Sequence, residues 1–236
     1  MQRAAGALEH LDRRVAPAER DASLTDIDRL NAWFGGYALT LRALEGLVLQ
    51  LPSSRRLLFV DVGGGRGDFA RRLIEHGRRW RRQVSVIVVD RDPDLLAIAQ
   101  RVAPPHVCLV RADATALPFR EASVDAVTMS LTLHHMEPAA AVTSLGEMSA
   151  ASRGRIVVND LWRSWISLAL VWIATRVLRC HPISRHDGPL SVRRAYSPDE
   201  IRGLAQKAGM RSPRIRRYPL LGRVVTVFES IRADIG

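Results

Sequence analysis

The 236-residue chain is poor in cysteine, with only Cys108 and Cys180. They stand at no metal-like spacing, and neither a CxxC pair nor a Cys/His cluster occurs, so a zinc ribbon and a disulfide framework are both excluded. Internal repeats and low-complexity tracts are also missing. The N-terminal MQRAAGALEHLDRR has charged residues but no apolar core of signal-peptide length. These absences leave an ordinary cytoplasmic globular enzyme as the expectation. No apolar run is long enough for a comfortable membrane span: the longest, Trp162 to Leu178, falls short of the roughly 20 residues such a helix needs.

What is present is 47% hydrophobic and 25% charged residues, with a net charge of +11 carried mostly by arginine. The hydrophobic share supports one well-filled core and excludes disorder. The charge alone admits nucleic acid, an anionic membrane, an acidic ligand or merely a basic solvated surface.

The first fifty residues read as helix, with Ser23 to Asp26 as a plausible cap before IDRLNAWF and an interruption at Gly35-Gly36. From Leu57 onward short apolar runs alternate with helical segments. Strands are expected at LLFVDV (57–62), VSVIVVD (84–90), VCLVRAD (107–113), VDAVTMS (124–130) and RIVVND (155–160). Continuous apolar strands separated by helices imply a parallel sheet covered on both faces. SPDEIRGLAQKAGM opens on Ser197 with Glu200 three positions later, a capping box. Two last strands, around RIRRYPL and GRVVTVFE, are joined by a very short link and should form an antiparallel hairpin. The expected fold is therefore α/β: a Rossmann-like, seven-stranded, mostly parallel sheet whose last strand is antiparallel, with helices on both faces. Residues 1–52 would form an N-terminal helical cap and 53–236 the main domain, with a lid inserted at about 161–195.

The strongest chemical signal is Asp61-Val62-Gly63-Gly64-Gly65-Arg66-Gly67-Asp68, between a buried strand and a helix start. Ligand loops of open α/β sheets occupy that place, and glycine lets backbone approach a ligand closely. The spacing G-x-G-x-G differs from the G-x-G-x-x-G of dinucleotide loops. Asp68 would oppose a pyrophosphate at the helix N-terminus, so a ligand without phosphate is favoured. Asp90 closes the second strand, where a carboxylate can accept both ribose hydroxyls. Asp113 closes the third, within reach of an adenine amino group.

Taken together these motifs resemble those of the class I S-adenosylmethionine-dependent methyltransferases, in their ubiquinone/menaquinone-type small-molecule branch. VDVGGGRG is similar to the family's first motif, with Asp61, Gly63, Gly64, Gly65 and Gly67 on the methionine part of the cofactor. VVDRDP resembles the second, which places Asp90 on the ribose and Arg91 beside the adenine; ADATALPF resembles the third, with Asp113 and Ala114 at the adenine. SLTLHHM, beginning Ser130-Leu131, is similar to the fourth, whose backbone lines the methyl-transfer face. The resemblance implies S-adenosylmethionine as cofactor, S-adenosylhomocysteine as product and no metal.

Methyl transfer from a sulfonium is an in-line displacement, and a base helps when the acceptor is a phenol or enol. His135 and His134, after the fourth strand, are the first candidates, with His186 and Asp187 in SRHDGPLS next, in a loop expected to fold over the substrate. Asn159 and Asp160 end the fifth strand toward the same pocket. Tyr37 belongs to a cluster with Asn31, Trp33, Gly35 and Gly36 that either closes over the bound molecules or makes a plain helix–helix junction. Residues 162–178 form either a lid helix, a core helix or a segment dipped into a membrane surface, and Trp162 and Trp165 could line an apolar acceptor pocket. A hydrophobic small-molecule acceptor follows, O-methylated on a phenolic, polyketide-like or quinone-precursor oxygen or C-methylated on a similar ring. A nucleic-acid substrate ranks lower, because the aromatics cluster in one apolar helix and no NPPY-type loop follows the fourth strand.

Overall fold

The computed structural model describes residues 1–13, 15–211 and 213–230. Seven strands form one sheet: β1 (Leu57–Val62), β2 (Val84–Asp90), β3 (Val107–Arg111), β4 (Val124–Ser130), β5 (Ser152–Leu161), β6 (Arg214–Tyr218) and β7 (Arg223–Glu229). They run in the order β3-β2-β1-β4-β5-β7-β6, and β7 alone opposes its neighbours β5 and β6. The helices are α1 (Pro17–Trp33), α2 (Gly36–Val48), α3 (Asp68–Arg79), α4 (Pro93–Val102), α5 (Pro138–Ala151), α6 (Trp165–Val177), α7 (Pro182–Arg194) and α8 (Pro198–Lys207).

The apolar strands make a core on each face of the sheet. Val60, Val62, Val127 and Met129 pack with Leu145 and Met148 of α5 and with Ile201 and Leu204 of α8. On the other face Phe59, Val86 and Val88 pack with Leu44 and Leu47 of α2 and with Phe69 and Leu73 of α3. Each large side chain withdrawn from water contributes roughly 1.5–3 kcal/mol, so these two layers fix the sheet.

Helix starts follow local chemistry. Asp92 caps α4 by accepting from the backbone of Asp94 and Leu95, and Ser197 and Glu200 form the expected capping box on α8. Ser23 to Asp26, by contrast, lie inside α1, which begins at Pro17 after Ala16; proline's fixed φ suits the first helical position and its missing N–H costs nothing there. Gly35 breaks α1 from α2 with φ +75. Asn159, expected at the pocket, is instead wholly buried and donates to the Gly36 carbonyl (2.7 Å) and to Thr40 Oγ1 (2.9 Å), tying α2 to β5. The expected loop SRHDGPLS is part of α7, which carries Pro189 in its interior. Pro182 and the His181 cap start that helix, and its inward polar groups are bonded to the N-terminal segment, which offsets the hydrogen bond lost at the proline.

Candidate functional site

Both halves of the site lie at the C-terminal edge of the parallel strands, on either side of Leu131. The glycine loop leaves β1 and is held by the Gly63 and Gly64 amides, which donate to the Val89 carbonyl at 2.8 and 3.2 Å. Its glycines differ in purpose. A β-carbon on Gly63 would lie 2.4 Å from Thr132 Oγ1, and one on Gly64 would lie 2.7 Å from Asp61 Oδ2. On Gly65 it would meet only Leu95, at 3.7 Å, although the backbone there has φ +53. Gly63 and Gly64 are thus demanded by packing, and Gly65 lies under open space, where a ligand can approach the backbone.

Asp90 faces the same space. Its Oδ2 accepts from the Gly65 amide and its Oδ1 from the Asp92 amide, both at 2.9 Å. One backbone donor per oxygen leaves a lone pair on each for a vicinal diol. Burial pushes the Asp90 carboxyl up, against those two amides. Asp61 lies below the loop, wholly buried, with Thr128 Oγ1 donating to its Oδ1 at 2.9 Å. Desolvation pushes its carboxyl up to about 7, which the Thr128 bond opposes and the Asp90 charge reinforces. Asp113 is exposed and held low by the Thr115 hydroxyl (2.6 Å) and amide (2.8 Å). Arg91 is exposed beside it, and Ala114 rests against the core. Helix α1 crosses this edge: Arg20 pairs with Asp92, and Asp21 with Arg66 at 3.0 Å.

Leu131, next to the Thr132 that packs on Gly63, lines a cavity of about 150 Å³. The leucine has φ +51, a left-handed backbone uncommon outside glycine, and its amide donates to the Asn159 carbonyl at 3.0 Å. Ile27 and Leu30 of α1, Phe34 just after it, and Leu170, Val171 and Ala174 of α6 make apolar walls. Glu9, His134 and His135 make one polar pole, beside which Ser191 bonds Glu9, while Ser23, Ser184, Asp187 and Arg223 are further polar groups of the lining.

His134 is buried, its Nδ1 2.7 Å from Asp160 Oδ1, while its amide donates to Asp160 Oδ2 at 3.1 Å. Burial pushes the Asp160 carboxyl up, but the His134 imidazole and the Leu161 and His134 amides together hold it below the usual range. His135 is half-buried, its Nδ1 3.2 Å from Asp12 Oδ1. Glu9 is raised by burial, against His135, the Ser191 hydroxyl (2.9 Å) and Arg194 (3.3 Å). Asp12 ends well below the carboxylate range despite burial, through His135 and Arg194. The N-terminal segment that brings Glu9 and Asp12 here is clamped by Asp187, whose carboxylate accepts the His10 and Leu11 amides at 2.9 and 3.1 Å. Arg223 is fully buried. Its Nη2 donates to Asn31 Oδ1 at 2.6 Å, its Nε and Nη1 have no partner among the described residues, and desolvation lowers it to about 10.

Comparison with known proteins agrees with this arrangement. Residues 59–154 match the family model described as a methyltransferase domain. A methyltransferase of Mycobacterium tuberculosis is 31% identical over 104 residues, 44% of this chain and 40% of that protein. The match thus spans about two fifths of that relative's length. Demethylmenaquinone methyltransferase of Roseiflexus castenholzii is 30% identical over 171 residues, 67% of this chain and 68% of the relative. The chain belongs to the class I S-adenosylmethionine-dependent methyltransferases. Its fold is shared with an O-methyltransferase family 2 protein from Planctomyces limnophilus, solved with apigenin, at a TM-score of 0.60 and 18% identity over 96% of this chain and 63% of that one. S-adenosylmethionine is the cofactor of such enzymes, and the open backbone at Gly65 beside the two free lone pairs of Asp90 fits its unphosphorylated ribose.

For this methyltransferase the sequence-predicted residues divide cleanly. Asp61, Gly63, Gly64, Gly65, Gly67, Asp90 and Leu131 converge on one edge, and His134 and His135 meet in the cavity. Asp160 stands behind His134 rather than in the cavity lining. His186 is outside the cavity: its side chain is 54% exposed and paired with Asp187 at 2.8 Å. Tyr37 is not in the lining either, since its hydroxyl donates to Asp28 (2.7 Å) and its ring stacks on Phe69. Trp162 packs on the α5/α8 core under Arg217, and Trp165 points outward, 69% exposed. Asp187, a sequence candidate beside His186, is buried and clamps the N-terminal segment instead of facing a substrate loop. Glu9, Asp12 and Arg223 escaped sequence reading, because nothing local distinguishes them from surface charges.

Proposed function

We propose that this chain transfers a methyl group from S-adenosylmethionine to a hydrophobic small molecule bearing an ionisable hydroxyl or enol. The observation that carries this reading is the cavity beyond Leu131, apolar on its walls and polar at the His134 pole. When bound, S-adenosylmethionine supplies an electrophilic methyl carbon on a sulfonium. Gly65 admits it to the backbone, Asp90 accepts its ribose hydroxyls, Asp61 supports the loop beneath its methionine part, and Arg91, Asp113 and Ala114 flank the adenine. Leu131 sets the boundary across which an acceptor oxygen must line up with the methyl carbon, and such alignment is the main demand of an in-line displacement.

His134 is better placed than His135 to receive the acceptor's proton. Asp160 fixes the proton on Nδ1 and leaves the Nε2 lone pair free. Arg223, cationic and incompletely bonded, favours an oxygen that is losing its proton. O-methylation of a phenolic, polyketide-like or quinone-precursor acceptor is the leading form, and C-methylation of a similar ring uses the same ionisation. The likeness to demethylmenaquinone methyltransferase supports a ring of quinone type. A cavity roofed by α6 and α7 favours a small molecule over a base within a polymer. The test is incubation with labelled S-adenosylmethionine and a panel of phenols and hydroquinones of increasing apolar size. Label should appear in apolar ring compounds; transfer only to RNA or DNA would overturn the reading.

A specific observation favours a lipid surface as the place where such an acceptor is met. Helix α6 is inverted: Ser167 and Thr175 are buried, while Trp165, Ile166, Trp172, Ile173 and Val177 are each at least 50% exposed along one face. Leu220, 83% exposed, stands on the segment packed against α6. From Leu161 to His186 the chain carries Arg163, Arg176, Arg179 and Arg185 and no carboxylate. Aromatic residues and arginines together suit an anionic membrane surface. No helix among the described residues is long and apolar enough to cross a membrane. Cosedimentation with phosphatidylglycerol vesicles should fall in a Trp165→Asp/Trp172→Asp variant of unchanged melting temperature; equal pelleting of both proteins would remove this role.

A further inference from the structure

Three ligand atoms face one another across a gap at the polar pole of the cavity. His134 Nε2 lies 3.7 Å from Glu9 Oε1, and His135 Nε2 lies 3.9 Å from Glu9 Oε2. Both separations exceed hydrogen-bond reach, yet each of the three residues offers an atom within 4.8 Å of the other two. His134 and Glu9 have side chains only 3% and 5% exposed, and both line the cavity. The imidazole nitrogen and the carboxylate face each other without bonding, which leaves room for an ion between them.

The orientation of the rings has the same sense. Each imidazole is backed at Nδ1 by a carboxylate, His134 by Asp160 at 2.7 Å and His135 by Asp12 at 3.2 Å. For His134 that carboxylate is hydrogen-bonded and keeps the proton on Nδ1, turning the Nε2 lone pair forward, which is the outer-shell arrangement of metal-binding histidines. Asp12 stands close to the His135 ring without a hydrogen bond to it. Glu9 Oε1 already accepts from the Ser191 hydroxyl at 2.9 Å and from Arg194 at 3.3 Å, which leaves Oε2 as the oxygen open to an ion. Two imidazole nitrogens with one carboxylate oxygen suit zinc and neighbouring transition metals rather than magnesium or calcium. Ligands about 2.0–2.1 Å from a tetrahedral ion stand roughly 3.3 Å apart, so the three residues, now within 4.8 Å of one another, must draw together around it.

We propose that Glu9, His134 and His135 bind one divalent transition-metal ion whose open fourth position faces the acceptor cavity. The ligand for that position is the hydroxyl oxygen of the acceptor. Coordination lowers the pKa of such a hydroxyl, and its proton leaves to water. The oxygen then forms its bond to the methyl carbon while the carbon–sulfur bond breaks, leaving neutral S-adenosylhomocysteine. In this form His134 acts through the ion instead of taking the proton itself. Assigning the fourth position rests on the methyl-transfer reading; the binding of the ion does not.

The test uses the full chain, stripped with a chelator and dialysed, then titrated calorimetrically with Zn²⁺ and spectroscopically with Co²⁺. The wild type should take up one ion per chain, show the visible absorption of four-coordinate Co²⁺, and melt at a higher temperature with Zn²⁺. Glu9→Gln and His135→Ala should each weaken uptake roughly tenfold or more. His186→Ala should bind normally, although His10, His186 and Asp187 form a second, more exposed candidate group. His134→Ala is avoided because it would strand Asp160 buried and unpaired. No stoichiometric uptake by the wild type, uptake unaltered in both variants, or loss in His186→Ala would overturn the site. Metal uptake without methyl transfer to any acceptor would overturn the functional reading and leave the site standing. Full transfer by the stripped chain that takes up no metal would do the reverse.

Discussion

The two sides of Leu131 are built by different means. On the cofactor side the work is done by backbone: the Gly65 amide bonded to Asp90, the open space above Gly65, and the turn held to the Val89 carbonyl. On the acceptor side it is done by side chains that stand far apart in sequence, with Glu9 meeting His134 and Ser191, and Arg223 meeting Asn31. A site made from backbone imposes residue types on a short segment. A site made from side chains imposes only that several distant helices dock correctly.

That contrast can be broken most sharply at Gly65. Gly65→Val meets little in the folded protein but fills the approach and forces a β-branched residue to φ +53. Cofactor affinity should fall roughly 100-fold or more, with part of the loss from backbone strain of about 1–2 kcal/mol. Calorimetry with S-adenosylhomocysteine on a variant of native circular dichroism checks it; retained affinity would mean that the loop is not the binding surface.

The acceptor side should fail differently. Asp160→Asn keeps the shape behind His134 but removes the carboxylate that sets its tautomer, so turnover should drop roughly 10–100-fold while affinity for S-adenosylhomocysteine stays unchanged. An equal fall in both quantities would show that the two sides are one cooperative unit.

Beneath the cofactor side, Asp61 should show in stability and not in binding. Its carboxyl is raised to about 7 by burial, so between the unfolded value of 3.8 and 7 the native state binds more protons than the unfolded one. Its contribution to stability is therefore complete below pH 3.8 and is lost as pH rises toward 7. Asp61→Asn removes that titration. The melting temperature of the variant should gain on the wild type from pH 5 to pH 8, by an amount equivalent to about 2–3 kcal/mol at most. Parallel curves would place the Asp61 carboxyl in the ordinary range.

The same division explains what was legible in the sequence. β1, β2 and β4 occupy the expected residues, because a strand buried on both faces must be an unbroken apolar run and little else fits one. The glycine loop, Asp90 and the hairpin that reverses β7 were legible for the same local reason. The helical cover was not. The sequence reading Ser23 to Asp26 as a cap lost to Pro17, and SRHDGPLS, with its glycine and proline, reads as a loop until its inward bonds to the N-terminal segment are known. Trp162 and Trp165 read as pocket walls because this segment is apolar nearly all round, and only its docking shows that Trp165 faces outward while Trp162 packs on the α5/α8 core. Glu9 and Asp12 lie in a stretch that looks like a polar tail, and their importance appears only when Asp187 and Arg194 hold them against the histidine pair.

The most direct measurement is calorimetric titration of S-adenosylhomocysteine into three proteins: the wild type, Asp90→Ala and Asp160→Asn. Micromolar binding by the wild type and by Asp160→Asn, with affinity lost in Asp90→Ala, is the outcome expected of a cofactor cleft built apart from its acceptor cavity. Binding that survives in Asp90→Ala, or is absent from the wild type, would contradict the assignment of the cleft.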